Sequence, residues 1–119
     1  MKRLEAVCKT TPATMTRKDY LIAKRLKERL AGVVQLVDFK VFGSRTRGDN
    51  VKESDIDVFI EVEYIDKLTK KKILDIVWEV GYDNSIFISP LIFTRYEIEQ
   101  TPLRSSPIVK NIDEEGVRL

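Results

Sequence analysis

The sequence has no histidine, a single cysteine, four prolines and five glycines among its 119 residues. Without histidine, the commonest general base and the commonest transition-metal ligand are both missing. Any metal must be held by oxygen, which favours Mg²⁺ or Mn²⁺ over Zn²⁺. Cys8 alone makes neither an internal disulfide nor a thiolate metal site. No apolar run approaches the roughly 20 residues that a bilayer crossing needs. The start, Met1-Lys2-Arg3-Leu4-Glu5, carries an acidic group early and no long apolar stretch, so no secretory signal is expected and the cytoplasm is the expected compartment. A net charge of +2 on a chain that is 34% charged falls well short of the basicity of a dedicated nucleic-acid binder.

What is present suits one domain. The length lies in the commonest single-domain range and 43% of residues are hydrophobic. No internal repeat or Gly/Ser-rich linker divides the chain. Residues 1–15, with Thr10-Thr11-Pro12, show no sustained period and are expected to form an N-terminal arm or edge element, and residues 16–119 the domain.

Thr16 has the character of a helix N-cap with Asp19 in the capping-box position, and Ile22, Leu26, Leu30 and Val33 form one apolar stripe of a helix that Gly32 ends. Residues 34–42 have the composition of a strand, with Val37, Phe39 and Val41 alternating against Asp38 and Lys40. A polar stretch over residues 43–54 leads to a second strand, residues 55–63. There Ile56, Val58, Ile60 and Val62 take one face and Asp55, Asp57, Phe59, Glu61 and Glu63 the other. Asp66 caps a predicted helix whose apolar positions are Ile73, Leu74, Val77 and Val80, with Gly81 as its stop; its Lys70-Lys71-Lys72 run is expected to be a solvated face. Residues 85–93 are predicted as a third strand and 95–100 as a short helix. Ser106-Pro107 opens a last helix that Gly116 closes. This order implies an α/β fold, a small mixed sheet with helices packed mainly on one face. The first two strands are too close for a crossover and should be antiparallel, whereas the helix between the second and third allows a parallel pair.

The chemistry concentrates at Asp55 and Asp57. Two apart in a strand, they leave the same face, where their charges repel. A divalent cation bridging them would offset that repulsion; an acidic, solvated edge strand would produce the same pattern. The preceding loop bears on the choice. Gly43 permits a tight turn, Ser44 offers a hydroxyl and exposed N–H groups, and Arg45 and Arg47 add cationic donors, a combination suited to phosphate. Gly43 and Gly48 also match the glycine frame of a Walker A loop, but Asp49-Asn50 stands where Lys-Ser/Thr is required.

Gly43-Ser44, ten residues, then Asp55-Ile56-Asp57, with Arg47-Gly48 in the interval, resembles the signature of the minimal nucleotidyltransferases of the DNA polymerase beta superfamily. The segments Ser89-Pro90-Leu91-Ile92-Phe93-Thr94 and Ser106 to Gly116 are similar to the tails of such proteins, so the resemblance spans most of the chain from about residue 17. It implies the nucleotidyltransferase fold, with Gly43 and Ser44 holding the triphosphate of ATP or another nucleoside triphosphate, Arg47 assisting, and Asp55 and Asp57 ligating Mg²⁺, Mn²⁺ being the alternative ion. The implied reaction is attack by a hydroxyl on the α-phosphate with loss of pyrophosphate. Several members of that family are antitoxins paired with a helical HEPN-domain protein, and some add AMP to a tyrosine of it. A HEPN-domain partner in a hetero-oligomer is therefore the implied assembly, with homo-oligomers also open, and nucleic acid is not the expected target. Fully active members carry a third carboxylate on the neighbouring strand; here the residues of matching parity are Asp83, Ser85, Phe87 and Ser89, so Asp83 is the candidate for that catalytic role. A member without the third acid would neutralise its partner by binding and occlusion.

Overall fold

Local signals set the boundaries of most elements in the computed structural model, which describes residues 15–43 and 55–119. The arm of residues 1–14 and the loop carrying Ser44 and Arg47 lie outside the described residues. Helix α1, Arg17–Ala31, begins where Thr16 Oγ1 accepts from the Asp19 N–H at 3.1 Å. Met15, assigned to the arm by sequence, is instead buried in the main core; one residue before the cap, it and buried Tyr20 hold the two positions of a hydrophobic staple. Strand β1, Leu36–Phe42, starts two residues later than expected because the Val33 and Val34 N–H groups still bond to the Leu30 carbonyl. A bulge between Leu36 and Asp38 turns Val37 outward.

Strand β2, Ile56–Val62, pairs antiparallel with β1. Helix α2, Lys67–Asp83, is capped by Asp66, whose carboxylate accepts from the Thr69 N–H at 2.7 Å. Gly81 does not stop it. The helix runs two residues further and closes with Ser85 in the left-handed region, φ 56°, the Ser85 N–H bonding to the Tyr82 carbonyl at 3.2 Å and the Ile86 N–H to the Gly81 carbonyl at 2.9 Å. That is a Schellman closure with serine in the usual glycine position. Gly81 serves the returning chain instead: a Cβ there would meet the Ile86 carbonyl oxygen at 2.6 Å. Strand β3, Ile88–Thr94, consequently starts three residues after the expected 85 and runs parallel to β2. Helix α3, Arg95–Gln100, opens on a capping box of Thr94 and Glu97. Helix α4, Pro107–Glu115, follows N-cap Ser106, and a short strand β4, Val117–Arg118, pairs antiparallel with β1. The described strands form one mixed sheet in the order β3-β2-β1-β4.

The two faces of the sheet differ. Ile56, Val58, Ile60 and Val62 are all buried with Phe39, Val41 and the inner faces of α1 and α2 in the main core. The other face, expected to be wet, is covered along half its length. Phe59 and Glu61 are buried there, and α4 lies over it, with Val109 and Ile112 buried and Asp113 accepting from buried Lys40 at 2.8 Å. Lys40 Nζ also sits 5.6 Å from the Phe59 ring centroid. At the end of this face that carries it, Asp57 is half-buried. Among the described residues no helix is long and apolar enough to cross a membrane.

Candidate active site

Antiparallel pairing brings the end of β1 to the beginning of β2, so Phe42 stands opposite Asp57 and Gly43 arrives beside the acid. Gly43 has φ 87°, where a side chain is strained. Space forbids one as well. A Cβ would point directly onto the Asp57 carboxylate, with Cγ at 3.2 Å and Cβ at 3.4 Å. The turn that opens the polar loop is thus packed against one member of the acid pair.

Parallel pairing on the other side places Ser89 of β3 in register with Asp57. Opposed residues share a face, so Ser89 belongs to the face of Asp57. The Ser89 hydroxyl donates to Asp55 Oδ2 at 2.7 Å. Both carboxylates therefore reach the same end of the same face, one held from β3 and the other packed by Gly43. Asp55 is exposed and Asp57 half-buried. Ser89 appeared in the sequence only as a residue of matching parity that is not an acid; only the parallel register sets it opposite Asp57.

Asp83 is not at the start of β3. The Schellman closure keeps it in the last turn of α2, exposed to solvent, on the layer that covers the opposite face of the sheet. On β3, the position aligned with Asp57 is occupied by Ser89, a hydroxyl rather than a carboxylate.

Among the described residues no group of three or more His, Cys, Asp or Glu is gathered as a metal centre. Two carboxylates at the same end of one face are nevertheless a donor set that fits Mg²⁺, which binds through one or two carboxylates and completes its shell with water and substrate phosphates. The far end of the same face has different chemistry. Asp38 is subject to burial, which raises it, yet the two hydrogen bonds from Arg118, both 2.9 Å, hold its carboxyl below the usual range. Burial pushes Glu61 up, and the charges of Asp38 and Glu99 add to that rise. These groups tie β4 to the sheet and stand away from the acid pair.

Similarity to known proteins agrees with this geometry. A family model described as a nucleotidyltransferase domain matches residues 20–119. A Methanocaldococcus jannaschii protein named Putative protein adenylyltransferase MJ0141 is 37% identical over 75 residues, which span 62% of this chain and 70% of that protein. Two solved structures share the fold, each with a TM-score of 0.52. One is a putative nucleotidyltransferase of Sulfolobus solfataricus, 18% identical, with 85% of this chain and 78% of that one covered. The other is a mutant form of the toxin–antitoxin pair MntA–HpeT, 17% identical, with coverages of 88% and 72%. With a nucleotidyltransferase-domain match over residues 20–119 and a 37%-identical relative over 75 residues, the chain belongs to the nucleotidyltransferase domain family and is itself a nucleotidyltransferase.

Proposed function

We propose that this chain transfers a nucleoside monophosphate, AMP from ATP, to a hydroxyl on a protein partner in a Mg²⁺-dependent reaction, and that the partner is a HEPN-domain toxin for which it is the antitoxin. The observation that carries this reading is the junction of Gly43, Asp57, Asp55 and Ser89 at one end of the sheet. The name of the archaeal relative, a protein adenylyltransferase, supports a protein acceptor. The MntA–HpeT neighbour supports a toxin as that acceptor.

In this mechanism Asp55 and Asp57 would hold Mg²⁺, which when bound would supply charge neutralisation for the triphosphate. Ser44 and Arg47 would serve the triphosphate, as the resemblance to the family signature implies. Ser89 fixes the rotamer of Asp55 through its hydrogen bond. The acceptor oxygen attacks the α-phosphorus in line, its bond forming as the bond to pyrophosphate breaks. The acceptor's proton leaves to a substrate phosphate or to water, since β3 presents Ser89 where a base would stand. Much of the rate gain then comes from positioning by the docked partner.

The same serine favours a second reading, in which the protein retains nucleotide binding but neutralises its partner by occlusion. Incubation with ATP labelled on the α-phosphate, Mg²⁺ and the protein encoded by the neighbouring gene separates the two. Label and an added AMP mass on the partner establish transfer; a stable complex without added mass establishes occlusion; the absence of both removes the antitoxin reading.

A further inference from the structure

Glu61 is a carboxylate that the fold buries without giving it a counter-ion. The bulge in β1 brings Asp38 into register with Glu61, and opposed residues of an antiparallel pair share a face. Like charges set opposite one another repel, so each needs a cation. Asp38 has two: Arg118 donates to both its oxygens at 2.9 Å, and Lys40 stands 3.6 Å away. Glu61 has none. It is 6% exposed, yet among the described residues its carboxylate takes part in no hydrogen bond and no ion pair. The nearby cations are committed elsewhere, Lys40 to Asp38 and Asp113, Arg95 to Glu63 and Glu99, and Lys27 to the Leu119 carbonyl oxygen. On the other side of β2 the register partner of Glu61 is Phe93, whose side chain offers no donor.

This carboxylate opens on a pocket. With Leu36, Val37, Asp38, Ile98 and Glu99 it lines a recess of about 590 Å³, four residues along β2 from Asp57, or about 13 Å. Among the described residues no buried side-chain oxygen is both sealed from the surface and unpaired. The unpaired oxygens of Glu61 therefore face the recess. The charges of Asp38 and Glu99 act on Glu61 more strongly than those of Arg95 and Lys40, so the recess is negative where Glu61 lies. Leu36, Val37 and Ile98 give it apolar walls. Folding has already stripped most of the water from Glu61, so an entering cation meets a charge that costs little more to desolvate.

We infer that this recess is a binding site for a guanidinium group on an apolar stem, the chemistry of an arginine side chain. A planar guanidinium donates two parallel hydrogen bonds to one carboxylate and is weakly hydrated, which suits a half-enclosed recess with a single uncommitted acid. An ammonium is more strongly hydrated and makes no such fork. A metal ion fits less well, because among the described residues no three acids are gathered to hold one. The inference does not depend on nucleotidyl transfer.

Amide NMR of the full chain, at constant ionic strength, reads binding at Val37, Asp38, Glu61, Ile98 and Glu99. N-acetylarginine amide is expected to give saturable shifts there with a dissociation constant of about 1 mM. Its citrulline counterpart keeps the shape without the charge and should bind the same protein at least about tenfold more weakly, a comparison that needs no variant to fold. Glu61→Gln should weaken binding of the arginine compound by about 10- to 100-fold, and its own spectrum shows whether it is folded. Two further probes separate the sources of the group. A pentapeptide with central arginine that binds at least as tightly as N-acetylarginine amide assigns the site to a protein side chain, whereas binding of methylguanidinium with the peptide excluded assigns it to a small cation. Absence of saturable shifts from every guanidinium probe overturns the inference. So does equal binding of the citrulline compound, equal binding by a folded Glu61→Gln protein, or shifts confined to the surroundings of Asp55 and Asp57.

Discussion

Replacing Gly43 by alanine tests whether the turn and the acid pair form one unit. Two physical effects combine. At φ 87° a Cβ meets its own backbone, which costs about 1–2 kcal/mol in the left-handed region. Alanine also narrows the unfolded ensemble, offsetting roughly 0.4–1 kcal/mol of that. The new methyl points onto the Asp57 carboxylate, whose Cγ is 3.2 Å away, so the carboxylate must rotate, adding about 0.5–1.5 kcal/mol if it leaves its rotamer. The sum is a destabilisation of roughly 0.5–3 kcal/mol, seen as a lowering of Tm by about 2–12 °C in a domain of this size. The functional loss should be far larger. A displacement of about 1 Å in a positioned group lowers rate on the order of 100-fold. Differential scanning fluorimetry measures the first effect, and Mg²⁺-dependent ATP binding by calorimetry together with labelled-nucleotide transfer measures the second. A Gly43→Ala protein with wild-type Mg²⁺ dependence and unchanged Tm would refute the argument that the glycine packs against a working Asp57.

Asp57→Asn keeps the size of the side chain and removes one ligand charge, so Mg²⁺-dependent binding of ATP should weaken sharply while Tm holds or rises, as calorimetry with and without Mg²⁺ will show. Ser89→Ala removes the donor to Asp55 and is expected to weaken Mg²⁺ or Mn²⁺ affinity by about 10- to 100-fold, with Ser89→Thr restoring it; titration of Mn²⁺ by electron paramagnetic resonance reads this without requiring activity. Glu61 has its carboxyl raised above the ordinary 4.5 by burial first and by Asp38 and Glu99 next, so the folded state holds a proton more tightly than the unfolded one. Its folding benefit is complete below 4.5 and declines as pH rises through the raised value. Glu61→Gln should therefore flatten the fall in stability above that window, with denaturant melts at several pH values as the measure.

Much of this fold was legible because its signals are local. Thr16, Asp66 and Ser106 each cap the helix that follows, and each needs only the next three residues to do so. The alternation in β2 likewise fixed which residues share a face, and the short interval after β1 implied the antiparallel pairing. Failures came where distant chain decides. Phe59 and Glu61 looked solvated because nothing near them in sequence says that α4 will cover their face. The end of α2 was misplaced because serine, not glycine, adopts the left-handed turn there, while Gly81 is glycine for the approach of Ile86. That shift also removed Asp83 from the strand. Asp55 and Asp57 could be paired from spacing alone, whereas the hydrogen bond from Ser89 depends on a parallel register that no local pattern encodes.

The mixed sheet also has a consequence for how the site comes into being. Gly43 and Asp57 lie within one antiparallel pair, which closes over a short loop and forms without help from the rest of the chain. Ser89 reaches Asp55 across 34 residues, and the parallel pairing that aligns β3 requires α2 to be in place first. The two supports of the acid pair therefore arise at different stages of folding. Among the described residues β3 is an edge strand with proline at position 90, bonded to the sheet on one side only, so a partial opening can release it. Such an opening releases Asp55 while leaving Asp57 seated against Gly43, giving a chain that is mostly folded yet has lost one hold on its metal ligands.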